Sequence, residues 1–99
     1  MRLIYHPEAE AEVIEAARFY QTRGADLGIR FLDAVEEAVQ SIRASPMMWP
    51  VVQGDVRRRR VSRFPYSILY RQLAVELRIL TVKHHSRDDE YWQHRVGGD

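Results

Sequence analysis

Ninety-nine residues, a formal net charge of +1 and no cysteine suit a single compact domain over residues 1–99 with one modest core, and leave no disulfide framework or thiolate metal site. No apolar run approaches the roughly 20 residues of a membrane helix, and the opening MRLIYHPEAE turns acidic where a signal peptide needs an apolar stretch. A soluble cytoplasmic protein with no membrane partner is the expectation.

Arg2-Leu3-Ile4-Tyr5 is short and β-prone. The following His6-Pro7 hands over to a helix, because proline lacks only an N–H that the first turn would leave unpaired. Glu8, Glu10 and Glu12 favour the positive end of the helix dipole, and Ala9, Val13, Ala16, Ala17 and Tyr20 recur at helical spacing, predicting a helix over about 7–22. Gly24 then reads as a terminator and Asp26 as an N-cap. Leu32, Val35, Val39 and Ile42, widened by Phe31 and Ala38, predict a second helix to about 44, ended by Ser45-Pro46. So short a connection requires an antiparallel helical hairpin, with Ala16 and Ala17 small enough for close approach.

Residues 46–54 read as a loop, and 56–61, 66–72 and 75–83 as three strands. The order βααβββ predicts an α+β fold in which the hairpin covers one face of a small, mainly antiparallel sheet and leaves the other face open. The tail Val96-Gly97-Gly98-Asp99 is expected to fray.

The near-neutral total hides an uneven distribution: residues 1–45 carry eight acidic and five basic side chains, residues 46–87 two acidic and nine basic. Lys83 is the only lysine, and guanidinium forks suit phosphate or an acidic protein partner. Arg57, Arg58, Arg59, Arg60 and Arg63 head this basic half, with Arg71 and Lys83 further on. Side chains alternate along a strand, so Arg58 and Arg60 share one face and Arg57 and Arg59 the other. Either they bind an anionic surface, or they guard an edge strand and pair with the helical glutamates.

Lys83-His84-His85-Ser86-Arg87-Asp88-Asp89-Glu90-Tyr91-Trp92 places imidazole, guanidinium and phenol together after the last strand. Those groups match acid–base chemistry on an RNA 2′-hydroxyl and its phosphate. His84, His85, Asp88 and Asp89 follow no specific metal-ligand pattern, and neither metal nor other cofactor is expected. Trp49, Phe64, Tyr66, Tyr70 and Trp92 suit core packing better than base stacking in so small a domain.

Tyr5-His6-Pro7-Glu8-Ala9-Glu10, Arg30-Phe31-Leu32, the loop from Pro46 to Trp49-Pro50, Val56-Arg57-Arg58, Arg63-Phe64-Pro65-Tyr66-Ser67-Ile68-Leu69-Tyr70-Arg71 and Ile79-Leu80-Thr81-Val82-Lys83-His84 resemble the RelE/ParE toxins in order and spacing over nearly the whole chain. The resemblance implies the toxin of a type II toxin–antitoxin (plasmid-stabilisation) pair, arresting growth until a cognate antitoxin forms a hetero-oligomer with it. Two mechanisms are implied by the two branches. RelE-like members cleave ribosome-bound messenger RNA without metal; carried over by position, Arg58 and Arg60 fall where that branch places two lysines, His85 where it places an arginine or histidine, and Tyr91 on its tyrosine, with Arg87 nearby. Ser67 departs from the arginine that would hold phosphate. ParE-like members inhibit DNA gyrase by binding, and the incomplete nuclease set leans the reading that way. A third reading is a family member that only binds its partner or operator.

Overall fold

The computed structural model describes residues 1–97. Strand β1 (Arg2–Tyr5) leads into helix α1 (Pro7–Gln21), then α2 (Leu27–Ala44), β2 (Val51–Gln53), β3 (Val56–Arg60), β4 (Tyr66–Gln72), β5 (Glu76–His84) and a 3-10 helix (Gln93–Gly97). The fold is α+β, as expected: two helices lie on one five-stranded sheet of order β1-β5-β4-β3-β2. Only β1 and β5 run parallel, Leu3 facing Leu77; every other neighbour pair is antiparallel. No helix among the described residues is long and apolar enough to cross a membrane.

Helix α1 starts where Pro7 stands at its first position and the His6 imidazole caps it, Nδ1 accepting the Glu8 N–H at 3.1 Å. Asp26, expected to cap α2 with its side chain, does not. Its backbone is left-handed (φ 61°) and its carboxylate bonds no helix N–H, because a side-chain cap needs the extended conformation that aims the oxygen at the first turn. The tight turn takes that residue's conformation instead. Gln21 Oε1, reaching over from α1, accepts the Gly28 N–H at 3.0 Å. The close approach depends on Gly28 as well as on Ala16 and Ala17: a Cβ at residue 28 would lie 2.6 Å from the Ala17 carbonyl oxygen.

The core lies between hairpin and sheet. Phe31, Val35, Ala38, Val39 and Ile42 of α2 and Ala9 and Ala16 of α1 pack on Val61, Ile68, Tyr70, Leu77, Ile79 and Val82. Tyr20, Phe31, Phe64 and Tyr66 join ring to ring at 4.9–5.3 Å. Tyr70 and Trp92 are also buried, so these aromatic residues serve packing. Leu32, placed on the buried stripe by its spacing, is 44% exposed, although Val39, seven residues on and on nearly the same side of α2, is fully buried.

Two further departures bear on the site. Residues 51–53 within the expected loop form the short edge strand β2, paired with β3 through an irregular register. The opposite sheet face is not wholly open: Trp92, with Tyr91 and Val96 beside it, covers Val56, Leu69 and Leu80. Of the tail expected to fray, Val96 and Gly97 belong to the 3-10 helix, and Gly98 and Asp99 lie outside the described residues.

Glu12 and Arg95 hold that covering segment. Beyond Tyr5 the outer edge of β5 has no strand beside it, and α1 supplies a side chain instead. Glu12 Oε1 accepts the Val82 N–H at 3.1 Å and the Thr81 hydroxyl at 2.8 Å. Arg95, 4% exposed, donates to Glu12 Oε1 at 3.1 Å and to the Leu80 carbonyl at 3.0 Å. Its Nε lies 3.3 Å from Glu8 Oε2 without the alignment of a hydrogen bond.

Candidate functional site

Strand alternation divides the arginines of β3. Arg57 and Arg59 point to the helix side, where Arg57 donates to the Met47 and Trp49 carbonyls at 3.1 and 2.6 Å. Arg59 lies 4.4 Å over the Trp49 ring and donates to Ser41 Oγ at 3.0 Å. Arg58 and Arg60 point the other way, exposed, with no side-chain hydrogen bond or ion pair among the described residues. None of the four is neutralised by a helical glutamate.

Across the sheet, register brings further polar groups beside that exposed pair. Arg60 faces Ser67 on β4, and Ser67 faces Lys83 on β5. The turn after β5 brings His85 back over Ser67, with the His85 N–H on the Pro65 carbonyl at 2.9 Å and Nε2 3.0 Å from Ser67 Oγ. Together Arg58, Arg60, Ser67, Lys83, His85 and Asp89 line a groove of about 500 Å³, floored by Leu69 and Trp92 and bounded by β2. Partial burial, then the Arg60 guanidinium, lowers the His85 pKa. Neutral imidazole, able to accept a proton, is thereby favoured.

Lys83 Nζ is almost enclosed, its side chain 8% exposed. It donates to the His84 carbonyl at 3.3 Å and pairs with Asp89 Oδ1 at 3.1 Å. The Asp89 side chain is 88% exposed.

The remaining candidate residues do not gather here. Arg87 stacks 3.6 Å from the centre of the Tyr91 ring and 3.6 Å from Glu12 Oε2, beside α1. Tyr91 bonds Thr81 Oγ1 at 2.7 Å, and burial raises its pKa. Arg71 forms a two-pronged pair with Asp55, both contacts 2.9 Å, and also holds the Val96 carbonyl at 2.7 Å. That hydrogen bond lowers the Asp55 pKa and raises that of Arg71. Arg63, with a left-handed backbone (φ 69°), lies in a separate depression with Arg30, Asp33 and Glu37 of α2. Among the described residues no three His, Asp or Glu side chains are grouped to hold a metal.

Asp89 and Trp92 belong to the groove, although the sequence marked the first only as a poor metal ligand and the second only as a packing residue. The acidic run directly after two histidines was the available signal for Asp89; nothing in the spacing told that its carboxylate returns to Lys83.

Comparison with known proteins gives two findings. The sequence profile of the family described as "ParE toxin of type II toxin-antitoxin system, parDE" matches residues 3–89. A solved structure, "Chromosomal ParDE TA system from P. aeruginosa", shares the fold with a TM-score of 0.62 and 21% identity, over 85% of this chain and 95% of that chain. No curated protein sequence matches.

Proposed function

Since the chain belongs to the ParE family of type II toxins, we propose that it arrests growth by binding DNA gyrase, and that a cognate antitoxin neutralises it. The observation that carries binding over cleavage is the division of the nuclease set. His85 lies in the groove with Arg58 and Arg60, while Arg87 and Tyr91 are engaged with each other, Glu12 and Thr81. Guanidiniums stay charged and are poor proton acceptors, and Ser67 supplies a hydroxyl where a phosphate-holding arginine would be needed. What remains is a cationic surface suited to a contact with an anionic patch.

The antitoxin reading is supported by the hairpin, which leaves Ile14, Phe19, Ile29 and Leu32 between 44% and 56% exposed. Such side chains favour a partner that removes them from water. The expected outcome is loss of supercoiling by purified gyrase on adding this protein and its recovery on adding the product of the adjacent small reading frame. Charge reversal at Arg58 and Arg60 should relieve inhibition.

One observation favours a messenger-RNA endoribonuclease instead: His85, with its pKa lowered beside Arg60, is suited to accept a proton. Primer extension on messenger RNA from induced cells separates the two. Ribosome-dependent cuts that vanish in His85→Ala, with gyrase unaffected, would overturn the binding reading.

A further inference from the structure

The charges in the groove are unequally committed. Arg58 and Arg60 have no partner among the described residues, and Lys83 has one carboxylate, Asp89. An ammonium as enclosed as that of Lys83 requires a counter-charge, because an unpaired buried cation is strongly unfavourable. Asp89 is under no such constraint: 88% exposed and carried on a turn, its carboxylate can return to water with little loss.

We propose that the groove is a binding site for a phosphate group, and that Asp89 is its internal competitor, a carboxylate held on Lys83 until an incoming phosphate displaces it. Lys83 then exchanges one counter-ion for another, and Arg58 and Arg60 gain the partner they lack. Donor geometry favours phosphate over a partner's carboxylate. The two guanidinium forks, the ammonium and the Ser67–His85 pair together present more donors than a carboxylate has oxygens to accept, whereas a phosphate presents oxygens on several sides. Trp92, on the floor, is only 2% exposed, so the indole offers no face for a base, and the groups that reach into the groove are mainly cationic donors suited to phosphate. The inference rests on the geometry of the groove and holds whichever target the toxin attacks.

The test uses the full-length chain with no gyrase or ribosome present. Inorganic phosphate, a 5′-mononucleotide and a short single-stranded RNA are titrated against wild type, Asp89→Asn and Asp88→Asn. The single lysine provides one side-chain ammonium NMR signal to follow. Asp89→Asn is expected to tighten binding about three- to tenfold, somewhat more than one exposed pair is usually worth because the cation left behind is enclosed. Asp88→Asn removes the same charge one residue away and should change affinity less than twofold, while Lys83→Met should abolish the gain from Asp89→Asn. Tightening with all three probes makes phosphate itself the ligand; tightening with the RNA alone assigns the site to a nucleic-acid backbone. Unchanged affinity in Asp89→Asn for every probe, or an equal gain in Asp88→Asn, would overturn the proposal.

Discussion

Replacing Arg95 by alanine tests whether the 3-10 helix is held by charge or only by apolar packing. The Arg95 side chain is 4% exposed and its partner Glu12 13% exposed, so the pair is largely withdrawn from water, and removing one member strands the other. Such disruptions cost about 3–5 kcal/mol. Glu12 would keep the Val82 N–H and the Thr81 hydroxyl, with Arg87 at 3.6 Å, which places the loss near the lower end, about 3 kcal/mol. For a domain of this size that corresponds to a fall in Tm of about 12 °C or more. Urea unfolding of Arg95→Ala, Glu12→Leu and the double variant gives a coupling energy. With both charges gone no stranded ion remains, so the double variant should be at least about 1 kcal/mol more stable than the sum of the single losses. Additivity within about 0.5 kcal/mol, or a loss below that in Arg95→Ala, would refute the reasoning.

NMR titration of the His85 ring should give a midpoint below the ordinary value of about 6.5, and Arg60→Met should move it upward; no movement would mean the Arg60 charge does not reach the ring. Because the unfolded chain takes up that proton first as pH falls, the contribution of His85 to stability is complete above the ordinary value and declines on acidification below it. Burial pushes the Tyr70 phenol up to about 12, so its absorbance should change only in strong alkali. The unfolded phenol ionises first, and stability should fall as pH rises through about 10. Tyr70→Phe, which leaves the Pro46 carbonyl without its donor, should lower stability by about 1 kcal/mol in denaturant unfolding. Gly28→Ala should destabilise by about 1–3 kcal/mol, although the same change in an unobstructed helix is stabilising; a gain would show that the hairpin can spread to admit the methyl group.

What was legible in the sequence was what periodicity controls. Both helices, β1 and the three longer strands could be read from the spacing of apolar residues, and the split between Arg57/Arg59 and Arg58/Arg60 follows from alternation alone. Contacts across the sheet were not. Ser67, Lys83 and His85 meet because β4 and β5 pair in a particular register, and local spacing contains no register. Strand β2 escaped because all three residues are exposed, which leaves no alternation to detect. The 3-10 helix escaped because it is held by Arg95 on Glu12, a contact between residues more than 80 positions apart. Asp26 misled through a general preference: Asp favours N-caps, but the left-handed backbone needed by this turn also tolerates Asp.

The parallel pairing of β1 with β5 has a consequence during synthesis. Arg2 through Tyr5 find their neighbours only at Glu76 through Ile79, so a nascent chain can form its helices early and still lack the strand that joins its first residues to the remainder. Contacts so distant along the chain slow folding. A fragment released before residue 76 has the arginines of β3 but neither Lys83 and His85 of the groove nor the edge that Glu12 closes. The groove between β3, β4 and β5 can therefore assemble only once the last strand has been made.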